Sequence, residues 1–570
     1  MNLRCSALFS ILLGLVACNP TDDNNNNTAS GSAFDHEAGT ISGGASWAAG
    51  THNVLGDINV TNGVLEVAAC STLRMANGAI ISVSDNGAIK MIGRQDCPIT
   101  VTSAKSVPVA GDWGYLELYS TGDNGANELE WVVLEYAGAD DYGAIWMESG
   151  AGLGMSNTTI QHTASYGMVL ENGVTLRSFT GNSLINNTKG PIDMYPNDVG
   201  QLGAGTYTPN TIDSIHVNGG TLSKDQTWLD HGTPYVIAAS MSITTDAGSA
   251  HLTLSPGVTL KFDPTQGIDV NTNGGLTAVG TSGAPITFTS SKSSPASGDW
   301  YEIDIHNGSS DTFNHFEYVV IEYAGSSNDY GAIWIEGAAS AQITSCTLKD
   351  SGGYGVMLLA GGELRSFTGN TLTGNALGPV SIGANEVPML GLGTYTPNTI
   401  EGIVVDQSRE VTSSGTWKNL GVPYLLPVGL NLDVSSGSAH VTVEAGTTLK
   451  MGPSQIISVD TNAGLTLQGT SNAHVVVTSG KSGPAAGDWE EIDIYSASSS
   501  SQDVFTYTDL KYGGGATGGQ LWVEDAAGVT LNNVTFSSTG GTSGGCDVVK
   551  DGASSSVTIA AGATPAICGP

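Results

Sequence analysis

Three clusters of aromatic and acidic residues recur along the 570-residue chain. The segment 145–148 is predicted to be a strand in which the apolar Ile145 and Met147 face the core, so that Trp146 and Glu148 point outward. The same parity turns Glu117 and Tyr119 of an earlier strand outward, so both pairs are expected to face solvent and to stack beside each other. The equivalent residues further along the chain are Asp304, His306, Trp334 and Glu336, followed by Asp493, Tyr495, Trp522 and Glu524.

An aromatic ring beside carboxylates is suited to binding sugars, because the ring stacks on C–H groups while the acids accept hydrogen bonds from hydroxyls. Structural packing of the tryptophans is the alternative. The carboxylates could also act as an acid and base pair in glycoside cleavage. Three similar clusters on one face favour multivalent binding, whereas an enzyme is expected to have one cluster with uniquely placed carboxylates.

Long repeats organise the chain. Gly-Asp-Trp occurs at 111–113, 298–300 and 487–489, and Leu-Arg-Ser-Phe-Thr-Gly-Asn occurs at 176–182 and 364–370. These spacings define units of about 188 residues, of which the last is shorter. Gly-Asp-Trp is predicted to be a turn whose aspartate caps backbone amides above a buried ring.

The local period of two predicts an all-β protein. Equivalent strands recur after about 24 residues, as at Leu116, Ile145, Met168 and Ile192, which is the coil length of a parallel β-helix. The predicted divisions are a signal peptide at 1–18, a flexible polar tether at 19–39, and β-helix units at 40–219, 220–409 and 410–570, the last including a C-terminal cap.

The motif pattern resembles that of the pectate-lyase-like right-handed parallel β-helix proteins, especially repeat-bearing bacterial surface lipoproteins. The segments that carry this resemblance are 298–300, 321–325 and 331–333, which recur in the other units. Lyases of this family use calcium-binding aspartates with an arginine or lysine base. Arg177 and Arg365 stand in repeated positions, but they are predicted to fix turns rather than to abstract protons.

The N-terminal sequence resembles a targeting signal. An apolar run from Ala7 to Val16 precedes Cys18 and is too short to anchor the chain in a bilayer. The segment ending at Cys18 resembles the bacterial lipoprotein cleavage site, where the cysteine is lipidated. We therefore expect a lipid anchor on Cys18 and attachment to the bacterial outer membrane, facing the periplasm or the exterior.

The remaining cysteines suit an oxidising compartment. Cys70 and Cys97 are 27 residues apart, and Cys546 and Cys568 are 22 apart, so each pair could cross-link neighbouring coils. Cys346 has no such partner and is predicted to be a buried free thiol.

Calcium is the one cofactor that the sequence leaves open. Asp140 and Asp141 occupy the same turn as Asn328 and Asp329 one unit later, and calcium prefers oxygen ligands of this kind. Simple solvation of acidic turns is the favoured alternative, since the third unit has no acid there.

The net charge of −35 excludes nucleic acid as an expected partner, because it repels phosphate. The sequence thus predicts a lipid-anchored surface protein that binds carbohydrate or a neighbouring cell, with polysaccharide lyase or glycoside hydrolase activity as the alternative and a passive stalk as a third possibility.

Overall fold

The protein is all-β throughout the part that its computed structural model describes, namely residues 33–326, 330–515, 518–541, 545–562 and 564–569. Within these residues there are short 3₁₀ helices but no α-helix. The first group of strands consists of β1 Phe34–His36, β2 Gly39–Ser42, β3 Ala45–Trp47, β4 Thr51–Val54, β5 Ile58–Thr61, β6 Gly63–Val67, β7 Thr72–Met75, β8 Ile81–Val83, β9 Gly87–Ile92, β10 Ile99–Ser103, β11 Leu116–Leu118, β12 Glu128–Glu130, β13 Val132–Glu135, β14 Ile145–Met147, β15 Gly152–Ser156, β16 Thr159–Gln161, β17 Tyr166–Leu170, β18 Thr175–Thr180, β19 Asn182–Ile185, β20 Gly190–Met194, β21 Gly205–Thr206 and β22 Ile215–Val217.

The second group begins at Gly220. It consists of β23 Gly220–Leu222, β24 Gln226–Trp228, β25 Tyr235–Ile237, β26 Met241–Ile243, β27 Ala250–Leu254, β28 Thr259–Phe262, β29 Ile268–Val270, β30 Gly274–Val279, β31 Ile286–Ser290, β32 Ile303–Ile305, β33 His315–Glu317, β34 Val319–Glu322, β35 Gly331–Ile335, β36 Ser340–Thr344, β37 Thr347–Lys349, β38 Tyr354–Leu358, β39 Glu363–Thr368, β40 Thr371–Thr373, β41 Gly378–Ile382 and β42 Ile403–Val405.

The third group begins at Glu410. It consists of β43 Glu410–Val411, β44 Gly415–Trp417, β45 Tyr424–Leu426, β46 Leu430–Leu432, β47 Ala439–Glu444, β48 Thr448–Met451, β49 Ile457–Val459, β50 Ala463–Gln468, β51 Val475–Ser479, β52 Ile492–Ile494, β53 Val504–Lys511, β54 Leu521–Glu524, β55 Gly528–Ser537, β56 Val548–Asp551, β57 Ser556–Ala561 and β58 Ile567–Cys568. The 3₁₀ helices are Ala139–Asp141, Val199–Gln201, Asp311–Phe313 and Val387–Met389.

Over most of the chain each strand pairs in parallel with the strand three positions later. One sheet runs β1-β4-β7-β10-β13-β16-β19-β21, and a second runs in step as β2-β5-β8-β11-β14-β17-β20. Parallel pairing at this interval requires the chain to return to the same sheet once per coil. The long parallel sheets therefore fit a parallel β-helix, as the strand period predicts.

The sheets do not keep the same strand positions from one group to the next. The 14-stranded sheet that contains β11 and β14 continues through β22 into β25, β28, β31 and β34. The strands β32 and β35 belong instead to a 17-stranded sheet that begins at β23, and β52 and β54 belong to a 7-stranded sheet that begins at β43.

The core is built from apolar side chains stacked in register. Ile81, Leu116, Ile145, Met168 and Ile192 are paired one after another across five strands. All five side chains are buried. The sequence prediction that the last four occupy equivalent strands is therefore confirmed, and burial of such columns is what stabilises parallel coils.

Buried asparagines join neighbouring coils at the turns. The Asn182 side chain accepts a hydrogen bond from the backbone amide of Thr158 at 3.0 Å, and Asn370 accepts one from the amide of Cys346 at 2.9 Å. Because a buried amide needs a partner, each asparagine replaces a backbone hydrogen bond that the turn lacks.

The N-terminal β structure begins earlier than the sequence indicates. β1 lies inside the segment 19–39, which is predicted to be a tether, and its residues pair with β4. The His36 ring also stacks on Trp47, with ring centroids 3.8 Å apart. None of the three side chains of this strand is buried, so it has no core-facing residue that the apolar pattern could reveal.

Candidate functional site

Each of the three predicted clusters is assembled by adjacent parallel strands. Glu117 of β11 is the register partner of Trp146 of β14, as strand parity predicts. The backbone amide of Glu148 donates to the carbonyl of Leu118 at 3.0 Å, which places Glu148 at the level of Tyr119. The other clusters have the equivalent register pairs Asp304–Trp334 and Asp493–Trp522.

The acids at the centre of the clusters are buried, which corrects the expectation that they face solvent. Glu117, Asp304 and Asp493 are only 3 %, 6 % and 8 % exposed. Leu116 and Leu118, the strand neighbours of Glu117, belong to the core, so Glu117 does lie on the outer side of its strand. The outer side is covered there, because aromatic and acidic side chains from adjacent positions lie over it.

Burial raises the pKa of these acids. Desolvation is the main cause for Glu117, and the nearby Glu148 charge adds to it, while a hydrogen bond with Tyr119 acts in the opposite direction. Desolvation raises the pKa of Asp493 to about 7 in the same way, opposed by a hydrogen bond with Tyr495. Each acid is therefore easier to protonate than a surface carboxylate.

The tryptophans are partly exposed, and two of them stack on a tyrosine that the sequence analysis missed. The rings of Tyr142 and Trp146 have centroids 4.2 Å apart at an interplanar angle of 23°, and those of Tyr330 and Trp334 are 4.4 Å apart at 28°. The signal for this pairing was present, because Tyr-Gly-Ala-Ile-Trp occurs twice, at 142–146 and 330–334. Trp522 has Gly518 at the position of the tyrosine.

The three clusters do not lie on one sheet, contrary to the sequence expectation of a single face. Glu117 and Trp146 lie in the 14-stranded sheet, Asp304 and Trp334 in the 17-stranded sheet, and Asp493 and Trp522 in the 7-stranded sheet. The cause is the change of strand position between the groups of strands. No local sequence pattern records it.

The middle cluster differs from the others because it contains a histidine, with Asp269 close to it. Nε2 of His306 lies 3.1 Å from Oδ2 of Asp304 and 3.9 Å from Oδ1 of Asp269, and its Nδ1 lies 3.2 Å from Oε1 of Glu336. Asp269 is the register partner of Asp304 in the preceding coil. Sequence reasoning missed Asp269, although it stands 35 residues before Asp304, as Ser82 does before Glu117.

Glu302 completes the acidic surroundings of the middle cluster. Burial raises the pKa of Glu302 to about 7, and the charges of Asp304 and Asp269 contribute. Burial likewise raises the pKa of Asp304 to about 7, with His306 acting in the opposite direction and Glu336 and Asp269 reinforcing it. Both carboxyl groups are therefore easier to protonate than carboxylates at the surface.

Only the first of the two turns predicted to bind calcium lies within the described residues. Asp140 and Asp141 are exposed in the 3₁₀ helix Ala139–Asp141, where Oδ1 of Asp141 lies 3.1 Å from Nζ of Lys189. Asn328 and Asp329 lie outside the described residues. The Asp141 carboxylate is thus already paired with a lysine.

The cysteines are arranged as the spacing predicts. Cys70 is bonded to Cys97 and Cys546 to Cys568, while Cys346 is a buried free thiol. Cys18, the predicted lipidation site, lies outside the described residues. Among those residues, no helix is long and apolar enough to cross a bilayer.

The other repeated residues are structural, as predicted. Trp113 is fully buried below the Asp112 turn, and Oδ2 of Asp112 accepts a hydrogen bond from the Val109 amide at 2.9 Å. Nη2 of Arg177 donates to the carbonyl of Asn127 at 2.8 Å, so that arginine fixes a turn. The equivalents Trp300, Asp299 and Arg365 make the same contacts.

No protein-family model matches this chain, and none of the curated proteins matches it either. Its function must therefore be inferred from the three clusters themselves.

Proposed function

We propose that the protein is a lipid-anchored cell-surface β-helix protein that binds carbohydrate through the partly exposed tryptophans of its clusters. Its fold would be a right-handed, pectate-lyase-like β-helix of three units, at 40–219, 220–409 and 410–570. The single observation that carries the proposal is the pair of aromatic stacks, Tyr142 with Trp146 and Tyr330 with Trp334.

A stacked tyrosine and tryptophan offer a wide apolar surface that is suited to the C–H face of a sugar ring. Tyr142 is 37 % exposed, and Trp146 beside it is partly exposed, so both rings can be reached from solvent. Glu148 lies next to this surface and can accept hydrogen bonds from hydroxyl groups. Trp334, Tyr330 and Glu336 offer the same combination in the middle cluster.

The clusters lie in different sheets, which affects how a ligand would be bound. A long polysaccharide or a neighbouring cell surface could contact one cluster without contacting the next. Affinity then rises by avidity only when the ligand bends or branches around the protein. Branched or multichain glycans are therefore the preferred ligands in this proposal.

Membrane attachment is part of the same proposal. A lipid on Cys18 would hold the chain at the bacterial outer membrane, with the segment before β1 as a short spacer. The net charge of −35 supports extracellular glycans over nucleic acid as the partner.

Polysaccharide cleavage is the second candidate function, and one observation favours it. The middle cluster alone places a histidine, His306, and a further acid, Asp269, beside its central acid Asp304, whereas Glu302 has an equivalent in Glu491 of the third cluster. A carboxyl group with a pKa of about 7, as at Glu302, can donate a proton to a leaving group at neutral pH.

A glycan panel separates these functions. Full-length protein is incubated with neutral and acidic polysaccharides, with and without calcium, and both retention and new chain ends are measured. We expect retention without cleavage, and we expect Trp146→Ala with Trp334→Ala to abolish it. Tyr318→Ala is the matched control, because Tyr318 is 37 % exposed but lies outside the clusters. New chain ends would establish the enzyme instead, and retention that survives both tryptophan changes would refute aromatic binding.

A further inference from the structure

We propose that Asp269, Asp304 and His306 form a binding site for a divalent transition-metal ion, of which Zn²⁺ is the representative. One potential ligand atom from each residue lies within 4.8 Å of the others. The site lies beside the aromatic surface of the middle cluster and shares Glu336 with it, but it requires no carbohydrate. Its test is therefore independent of the proposed function.

The orientation of the His306 ring matches that of a metal ligand. Its Nε2 atom faces both Asp304 and Asp269, while its Nδ1 atom faces Glu336 at 3.2 Å. When Nδ1 donates its hydrogen to a carboxylate, the lone pair of Nε2 is left to bind a metal. Glu336 would thus orient the histidine, as carboxylates do in many zinc sites.

Asp304 also has a buried oxygen that a bound ion could satisfy, a feature that it shares with Asp493 of the third cluster. Asp304 is 6 % exposed, and its Oδ1 atom is buried without a hydrogen-bond partner. Buried carboxylate oxygens are normally hydrogen-bonded or coordinate a metal. Asp304 also lies in register with Asp269, so a cation held between the two carboxylates would interact favourably with both.

The ligand types decide which ion the site prefers. One imidazole nitrogen with two carboxylate oxygens suits Zn²⁺ and its first-row neighbours, whereas calcium takes oxygen ligands alone. In a tetrahedral zinc site, bonds of about 2.0 to 2.1 Å place ligand atoms about 3.3 to 3.4 Å apart. The His306–Asp304 distance of 3.1 Å and the His306–Asp269 distance of 3.9 Å bracket that value. Three protein ligands leave a fourth position open.

The same positions in the other clusters cannot form this site. The first cluster has Ser82 in place of Asp269 and Tyr119 in place of His306. The third cluster likewise has Ser458 and Tyr495. One ion per chain is therefore expected, and the natural serine and tyrosine show which substitutions the fold accepts at these positions.

The test is calorimetric titration of chelator-treated full-length protein with Zn²⁺. We expect one ion per chain for the unmodified protein and no binding at this site for the double variant Asp269→Ser with His306→Tyr. Glu336→Gln should weaken binding about 10- to 100-fold, as loss of an orienting carboxylate does. Co²⁺ should give visible absorption bands in the unmodified protein that the double variant lacks.

Two controls keep the outcome decisive. His315→Gln removes another histidine with an acidic neighbour, since Nε2 of His315 lies 3.6 Å from Glu317, and it should leave the stoichiometry unchanged. Asp269→Asn changes a single atom and replaces the double variant if that variant does not fold. Absence of Zn²⁺ binding to the unmodified protein, or equal affinity in the Asp269 variants, would overturn the proposal.

Discussion

Nζ of Lys292 lies 2.6 Å from Oδ1 of Asp299, at the neck of a loop that ends beside Trp300. The other carboxylate oxygen accepts hydrogen bonds from the Ser290 hydroxyl at 2.7 Å and from the Ala296 amide at 2.9 Å. Asp299 thus closes the loop through three bonds. The same bonds recur at Asp112 and Asp488, each directly before a fully buried tryptophan.

Asp299→Asn should open this loop. The amide side chain has nearly the same shape but loses the charge on which these short hydrogen bonds depend, so the loop should lose about 1.5 to 3 kcal/mol of stability. Hydrogen exchange of the Ala296 amide should accelerate by the corresponding factor, about 10- to 150-fold. The control is Asp96→Asn, whose exposed ion pair with Arg94 has little effect on stability. Equal exchange rates in the Asp299 variant and the unmodified protein would contradict the structural role.

Acid should weaken the same three loops. Hydrogen bonds from Lys481, the Ala485 amide and Ser479 lower the pKa of Asp488 to about 2. A carboxylate with a lowered pKa stabilises the folded state at pH values above its unfolded pKa of about 3.9, and this contribution is lost as the pH falls toward 2.

The measurement is the melting temperature between pH 7 and pH 2. We expect a steep decrease below about pH 4 for the unmodified protein. The triple variant at positions 112, 299 and 488, with asparagine for each aspartate, should melt lower at neutral pH and depend less on acid. Parallel pH profiles for the two proteins would show that other carboxylates control acid unfolding.

Strand parity was sufficient to predict that Glu117 lies beside Trp146, because alternation is a local property of the chain. It could not predict that Glu117 is buried. That burial depends on the side chains around it, including Tyr119 of the same coil and Glu148 of the next coil. The Gly-Asp-Trp turns were also predicted correctly. The aspartate before each buried tryptophan accepts a hydrogen bond from a backbone amide that is close in sequence, and such a local contact can be predicted from the local sequence.

The middle cluster could be predicted only in part. Asp304 and His306 follow from parity, but Asp269 joins them from a coil that is 35 residues distant, after a long loop. A spacing of 35 residues indicates neighbouring positions in adjacent coils only when the coil boundaries are known. The distribution of the clusters over three sheets was equally hidden, because the sheet change between groups of strands depends on pairings around β22 and β42.

Arg365→Ala should destabilise the turn that the arginine contacts. Nη2 of Arg365 donates to the carbonyls of Asp311 and Asn314, which lie 54 and 51 residues earlier in the chain. Loss of hydrogen bonds to a charged group should cost about 1.5 to 3 kcal/mol in the free energy of unfolding, measured by denaturant titration. Arg74→Ala is the control, because Arg74 makes an exposed hydrogen bond to Ala104. Similar losses for both variants would refute a special role for Arg365.

Asp503 is the buried acid whose replacement should stabilise the protein. It occupies the position of Asn127 and Asn314, and like them it accepts a hydrogen bond from a backbone amide, that of Leu465 at 2.9 Å. The asparagines also donate from Nδ2 to a carbonyl, at 3.1 Å for Asn127 and 3.2 Å for Asn314. An ionised aspartate cannot make that second bond, and burial raises the pKa of Asp503 to about 6.

Asp503→Asn should therefore increase the free energy of unfolding at pH 7 by up to about 3 kcal/mol, since each pKa unit corresponds to about 1.4 kcal/mol. The sign follows from the raised pKa. Below about pH 4 the carboxyl is protonated in both states, and between about pH 4 and 6 only the unfolded state ionises, so the penalty grows with pH and is complete above 6. Denaturant titrations at pH 4 and pH 7 should show an advantage of the variant that is larger at pH 7. An advantage that is equal at both pH values, or a loss at pH 7, would show that Asp503 is held by more favourable contacts than its hydrogen bonds from the Leu465 amide and, at 2.9 Å, from the Ser498 hydroxyl.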